Sequence, residues 1–117
     1  VEALSPGTVF TPVVLLSSWG APTTTVPFET ATLGLSLLRH LPEMAEKGNG
    51  NAASDVGVAA LLASAAVKGA LFNVQINLSS IPEDMGAEMK ALSANILSEA
   101  RMLSRASMKS VNTRLGL

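Results

Sequence analysis

The stretch NAASDVGVAALLASAAVKGALFNVQINL, residues 51–78, carries only Asp55 and Lys68 as charges and holds no proline. Its simplest reading is one long helix ending near Leu78. Ser54 is the expected N-cap, and Asp55 in the first turn faces the positive end of the helix dipole. Gly57, Ala59, Ala60, Ala63, Ser64, Ala65, Ala66, Gly69 and Ala70 dominate the interior. Small residues at this density let neighbouring backbones approach closely, so the helix is expected to be surrounded by others. A membrane span is the competing reading. The most apolar part, Val56 to Phe72, falls short of the ~20 apolar residues a span needs. It also contains Ser64 and Lys68, and a charge near the middle makes insertion costly. A bundle helix is the preferred reading.

Upstream, Pro27 is placed for a first helical turn, and Phe28, Ala31, Leu35 and Leu38 recur at three- and four-residue steps, with Leu33, Leu37 and Leu41 as a second stripe. Pro42 is expected to end this helix at Leu41 or to kink it. The run Gly48-Asn49-Gly50-Asn51 is expected to close it, since Gly and Asn tolerate the left-handed conformation. Downstream of Ile81-Pro82, Met85, Met89, Leu92, Ile96, Leu103 and Val111 form the apolar stripe of a third helix, with Lys90, Ser93, Ser98, Arg101 and Arg105 largely off it. The first 25 residues contain Pro6, Gly7, Pro12, Gly20 and Pro22, too many breakers for a long helix. They read as an irregular arm in which Val13 to Leu16 makes at most a short strand. The expected fold is all-α: an antiparallel bundle of about three long helices over residues 26–117, with an irregular arm over residues 1–25, completed by dimerisation.

Composition narrows the function. A chain of 117 residues is one modest domain. Its 48% apolar and 15% charged residues and mean hydropathy of +0.39 exceed what a small monomer easily hides, so association is expected. Eight Lys and Arg against nine Asp and Glu give a formal net charge of -1, without the basic excess that nucleic acid requires. No cysteine means no thiolate nucleophile and no thiolate zinc site, and a lone histidine, His40, leaves an imidazole metal site short of ligands. No metal is expected. Without a basic n-region leading into an apolar h-region, the expected compartment is the cytoplasm.

Several residues can carry chemistry. Asp55, Ala59, Leu62, Ala66, Gly69, Asn73 and Asn77 return to one face at 3.6 residues per turn. Asn73 and Asn77, four apart, can donate to and accept from a flat heteroaromatic ligand, or serve as a buried polar pair fixing helix register. Asp55 is either a first-turn carboxylate that stabilises its helix or a group that exchanges a proton. His40, the lone imidazole, suits proton exchange and equally suits a helix end. Arg101, Arg105 and Lys109 repeat every four residues, as a solvated face near a helix C-terminus or a landing strip for a polyanionic tail. No serine-protease order, phosphate-cradling glycine loop or helix-borne zinc motif is present.

The sequence Asn51-Ala52-Ala53-Ser54-Asp55-Val56-Gly57-Val58-Ala59-Ala60, then Ala66-Val67-Lys68-Gly69-Ala70 and Asn73-Val74-Gln75-Ile76-Asn77-Leu78, resembles the cyclodeaminase/cyclohydrolase family. Val26-Pro27-Phe28-Glu29-Thr30-Ala31 and Glu46-Lys47-Gly48-Asn49 are similar to the family pattern in the same order. The family comprises formiminotetrahydrofolate cyclodeaminases and methenyltetrahydrofolate cyclohydrolases. The resemblance implies an all-helical homodimer or higher homo-oligomer that acts on a tetrahydrofolate derivative as substrate, without metal, a formiminotransferase domain being a candidate partner. It implies closure of 5-formiminotetrahydrofolate to 5,10-methenyltetrahydrofolate with release of ammonia, the alternatives being cyclohydrolase action or a noncatalytic helical assembly module. Asp55 is then the expected catalytic residue, and Asn51, Ser54, Asn73 and Asn77 the substrate-binding ones. Arg101, Arg105 and Lys109 are candidate contacts for a polyglutamate tail. Residues 1–25 do not match the family's N-terminal half, which carries a proline- and glycine-rich segment ending in Ser-Val-Ala-Ala. The chain is accordingly expected to correspond to the C-terminal half of the domain, to be weak or inactive alone, and to expose apolar surface.

Overall fold

A computed structural model describes residues 22–117. The short strand expected at Val13 to Leu16 and the rest of the arm up to residue 21 lie outside the described residues. Three helices follow in chain order: α1 (Pro22–Lys47), α2 (Ala53–Leu78) and α3 (Glu83–Leu115), with a 3-10 turn at Gly50–Ala52 between the first two. Each packs on the other two, giving the expected all-α bundle.

α1 begins earlier and ends later than its prolines suggested. Pro22 to Thr25, assigned above to the arm, are helical, and Pro27 lies inside the helix. Thr24 is fully buried there, so packing overrides the weak helix preference of a threonine run. Pro42 does not end the helix at Leu41, although it forfeits one backbone hydrogen bond. Leu38, Leu41 and Ala45 are all buried, and only continued helical winding carries Ala45 into the same core as the two leucines.

The turn between α1 and α2 works differently from expectation. Gly116 is the only described residue with positive φ, at 74°, so neither Gly48 nor Gly50 is left-handed. Gly48 is required for space instead, because a Cβ there would run into the Met44 carbonyl oxygen. Arg114, from the last turn of α3, closes the end of α1: its Nη1 donates to the carbonyls of Ala45, Glu46 and Gly48 at 3.2, 3.0 and 2.7 Å. These carbonyls have no helical donor of their own, and a guanidinium also suits the negative end of the dipole. Asn49, not Ser54, performs the side-chain capping, its Oδ1 accepting from the Asn51 N–H at 3.0 Å. The 3-10 turn runs straight into α2, whose cap is Ala52 without a side-chain bond, and Ser54 is an exposed first-turn residue.

α2 buries Val56, Ala60, Ala63, Val67, Ala70, Leu71, Val74 and Leu78, a stripe at three- and four-residue steps. The other side leaves Val58, Leu61, Leu62, Phe72 and Ile76 exposed. The helix is therefore covered on one side only, contrary to the expectation that it is surrounded. Gly50–Leu78 is 29 residues long with a hydropathy of 1.6 in its best window, long and apolar enough to cross a membrane, which the shorter count from Val56 to Phe72 missed. Its buried side belongs to the bundle core.

The contact between α1 and α2 is close. A Cβ on Gly34 would lie 2.7 Å from Cγ2 of Val67, which is fully buried and has a stiff χ1. α3 adds Met89, Ala100 and Val111 to the core, with Leu92, Ile96 and Leu103 partly buried, as its stripe predicted. Arg39 on α1 grips Glu99 on α3 bidentately, at 2.6 and 2.9 Å. Its hydrogen bond holds the Glu99 carboxyl below the ordinary glutamate range.

Two predictions follow from these contacts. Gly34→Ala gains ~1 kcal/mol of helix propensity yet loses more to overpacking against Val67, for a net destabilisation of about 1–2 kcal/mol in urea titration. Gly69→Ala, where an added Cβ meets nothing within 4 Å, shows the opposite sign in the same titration. Because the folded carboxyl of Glu99 is lowered, its contribution is complete at neutral pH and lost as pH falls through that value. Glu99→Gln therefore costs at most ~1 kcal/mol at pH 7, given the pair's solvent exposure, and the gap to wild type narrows as pH falls below the ordinary glutamate range and closes below the lowered folded value.

Candidate functional site

The face of α2 that carries Asp55, Asn73 and Asn77 points away from the core. Asp55, Leu62, Ala66, Gly69 and Asn73 are exposed, and Ala59 and Asn77 are half-buried. At its C-terminal end this face meets the start of α1 in a groove of about 590 Å³. Val26, Pro27 and Thr30 form one wall, and Ala66, Ala70, Asn73 and Asn77 the other. The two alanines leave the space, while the two amides stand one turn apart on an otherwise apolar wall. Such a wall offers donors and acceptors beside a surface on which a flat ring system can lie. The Thr30 hydroxyl is already engaged, donating to the Val26 carbonyl at 2.9 Å. A second hollow of about 420 Å³ adjoins the groove, sharing Thr30 and Ala66 and adding Leu33, Leu37 and Leu62.

The remaining candidates lie elsewhere. Asn51, Ser54 and Asp55 cluster, all exposed, at the N-terminal end of α2 and the turn before it. Eighteen residues of helix separate Asp55 from Asn73, about 27 Å along the axis at 1.5 Å per residue. A single chain therefore presents the candidate residues as two separate groups, two candidate half-sites, on one helix face. His40 is exposed on α1. Arg101, Arg105 and Lys109 are exposed on α3, but their neighbours differ. Arg101 lines a cleft against α2, whereas Lys109 borders a hollow that also contains Glu46 and Arg114. No group of three His, Cys, Asp or Glu side chains comes together among the described residues.

Sequence reasoning overlooked Val26, Pro27 and Thr30 as groove residues, although they belong to one of the segments that carry the family resemblance. It also overlooked Lys68 and Lys90, whose partners across the cleft depend on the register of α2 against α3. Neither omission could be repaired from single-helix periodicity, which locates a residue on its own helix and says nothing about what faces it.

Comparison with protein families finds formiminotransferase-cyclodeaminase over residues 20–95. No curated protein and no solved structure matches the chain. The family match spans α1, the turn, all of α2 and the first turns of α3, and so contains both half-sites and the groove. Extending over well more than half of the chain, it shows that the protein belongs to the formiminotransferase-cyclodeaminase family, which ties it to folate metabolism.

Proposed function

We propose that the protein is a cytoplasmic cyclodeaminase-type module that converts 5-formiminotetrahydrofolate to 5,10-methenyltetrahydrofolate and ammonia, through a site completed by a second copy. One observation carries this reading: the family's conserved-order segments supply a carboxylate and an amide pair on the same exposed face of α2, about 27 Å apart. One chain cannot close them around a single reacting carbon. Two copies can.

The midpoint between Asp55 and the Asn73–Asn77 pair falls near Ala66, in the apolar middle of the face. An antiparallel two-fold pairing of α2 helices about that point sets Asp55 level with Asn73 and Asn77 of the partner subunit, twice by symmetry. Small side chains at Ala59, Ala66 and Gly69 permit the close approach, and exposed Leu33 and Leu62 supply apolar area to bury. In the composite site the amides hold the folate ring system in the groove. The second folate nitrogen attacks the formimino carbon, forming a tetrahedral centre. Asp55 takes the proton from that nitrogen and delivers it to the amino group, which leaves as ammonia. Asn51 and Ser54 stand beside the carboxylate as further hydrogen-bonding groups. The row Arg101, Arg105 and Lys109 supplies cations for a glutamate tail, and a formiminotransferase domain is the natural source of the substrate.

Subunit complementation tests this arrangement. Asp55→Asn alone is expected to lower turnover by about 10²–10⁴-fold, the range for a lost general acid–base. An equal mixture of Asp55→Asn chains with Asn73→Ala/Asn77→Ala chains, unfolded and refolded together, is expected to regain about a quarter of wild-type activity, because half of the dimers then hold one intact composite site. Unchanged turnover in Asp55→Asn removes the residue from the chemistry. Inactive mixtures with normal dimer content refute the shared site. A folded dimer that binds no 5-formyltetrahydrofolate would instead identify the chain as an assembly module.

A further inference from the structure

α2 and α3 enclose a second cleft, about 570 Å³, which shares no residue with the amide-lined groove. Its register is readable from the contact of Gly57 with Val111: a Cβ on the glycine would lie 3.1 Å from the valine methyl. Antiparallel continuation from that point sets Leu71 level with Leu97, Gln75 with Ser93, Leu78 with Lys90, and Lys68 within one residue of Arg101, and all eight line the cleft. The cleft is thus cationic at both ends and mostly apolar between them, Gln75 and Ser93 being the polar residues there, with Phe72 adding exposed aromatic surface to the middle. No acidic residue lines it. Glu99, the nearest acid in sequence to Arg101, is held by Arg39. In the middle, the Ser93 hydroxyl is out of contact with water and has no hydrogen-bond partner, an uncommon state for a buried polar atom.

We propose that this cleft binds an elongated dianion with an apolar middle, of the α,ω-dicarboxylate class. One carboxylate sits between Lys68 and Arg101 and the other at Lys90, while the chain runs along Leu71, Phe72 and Leu97. Eleven residues of helix separate Arg101 from Lys90, about 16 Å, which suits an extended chain of about twelve carbons. A single anionic end would leave Lys90 unmatched, and a wholly polar polyanion would leave the apolar middle uncovered. The ligand is distinct in chemistry from a folate, and the cleft lies within one chain, so the site does not depend on the proposed dimer.

Calorimetric titration of the full chain with dodecanedioate, dodecanoate, dodecane-1,12-diol and γ-triglutamate tests the proposal. Dodecanedioate is expected to bind one per chain, more weakly as salt is added, and at least about fivefold more tightly than dodecanoate. The diol is expected to show no saturable binding, and the triglutamate to bind more weakly than the diacid. Lys90→Gln should abolish the advantage of the diacid over the monoacid, and Lys68→Gln/Arg101→Gln should weaken both acids. Equal binding of monoacid and diacid, binding of the diol, triglutamate binding that matches the diacid, or no binding of dodecanedioate each overturns the proposal. All three cations are exposed, so their replacement leaves the core that sustains the fold intact.

Discussion

The close contact of α1 with α2 is the constraint on which the rest depends. Gly34 has no room for a side chain beside Val67, and Ala31, Ala60, Ala63 and Ala70 fill the same core with the smallest apolar groups. Helices that meet through alanine and glycine gain less from each buried side chain than helices that meet through leucine, so they must gain from proximity and length. That explains why α1 winds through two prolines and why both α1 and α2 run to 26 residues. A break at Pro42 would remove Ala45 from a core with few large side chains to spare.

The same economy of side chains leaves α2 apolar on its outer side. Leucines at 61 and 62 and Phe72 are exposed, while the face containing Asp55 and the asparagines is lined with small residues. A soluble three-helix bundle complete in itself would carry charge there. The separation of Asp55 from Asn73 and the smoothness of the surface between them are what the proposed two-fold pairing uses: a rigid rod holds the candidate groups apart, and a close-packing second copy would bring complementary ends together. The cationic cleft lies on another side of this rod, so one helix serves two surfaces without their interfering.

Helix existence and the inward stripes were legible because periodicity is a property of a single segment. Met89, Val111, Leu38 and Val67 could each be assigned inward without knowing their neighbours. Of the two outcomes expected at Pro42, termination at Leu41 does not occur, because a local hydrogen-bond cost is visible in sequence whereas the burial that offsets it is not. Ser54 was assigned a cap that the preceding 3-10 turn makes unnecessary, and Gly48 was assigned a conformation when its role is to leave space for a carbonyl. Asp55, Asn73 and Asn77 were placed on one face by their spacing, and the structure keeps them on one outward face. Their distance was implicit in their numbering, but its meaning emerged only when the intervening surface proved to be uncovered. Lys68 joins Arg101 only through inter-helix register, which no pattern within either helix contains.

The guanidinium of Arg114 has a temporal consequence. It supplies hydrogen bonds to the end of α1, yet nearly seventy residues separate it from the carbonyls it satisfies. During synthesis the first helix emerges, and its closing turn waits with unmet acceptors until almost the whole of α3 has followed. Helices α1 and α2 can associate early through their small-residue seam, but the corner joining them is completed last. The vulnerable interval of this protein's biogenesis is therefore the one in which two apolar helices are already paired and the residue that locks their junction is still within the ribosome.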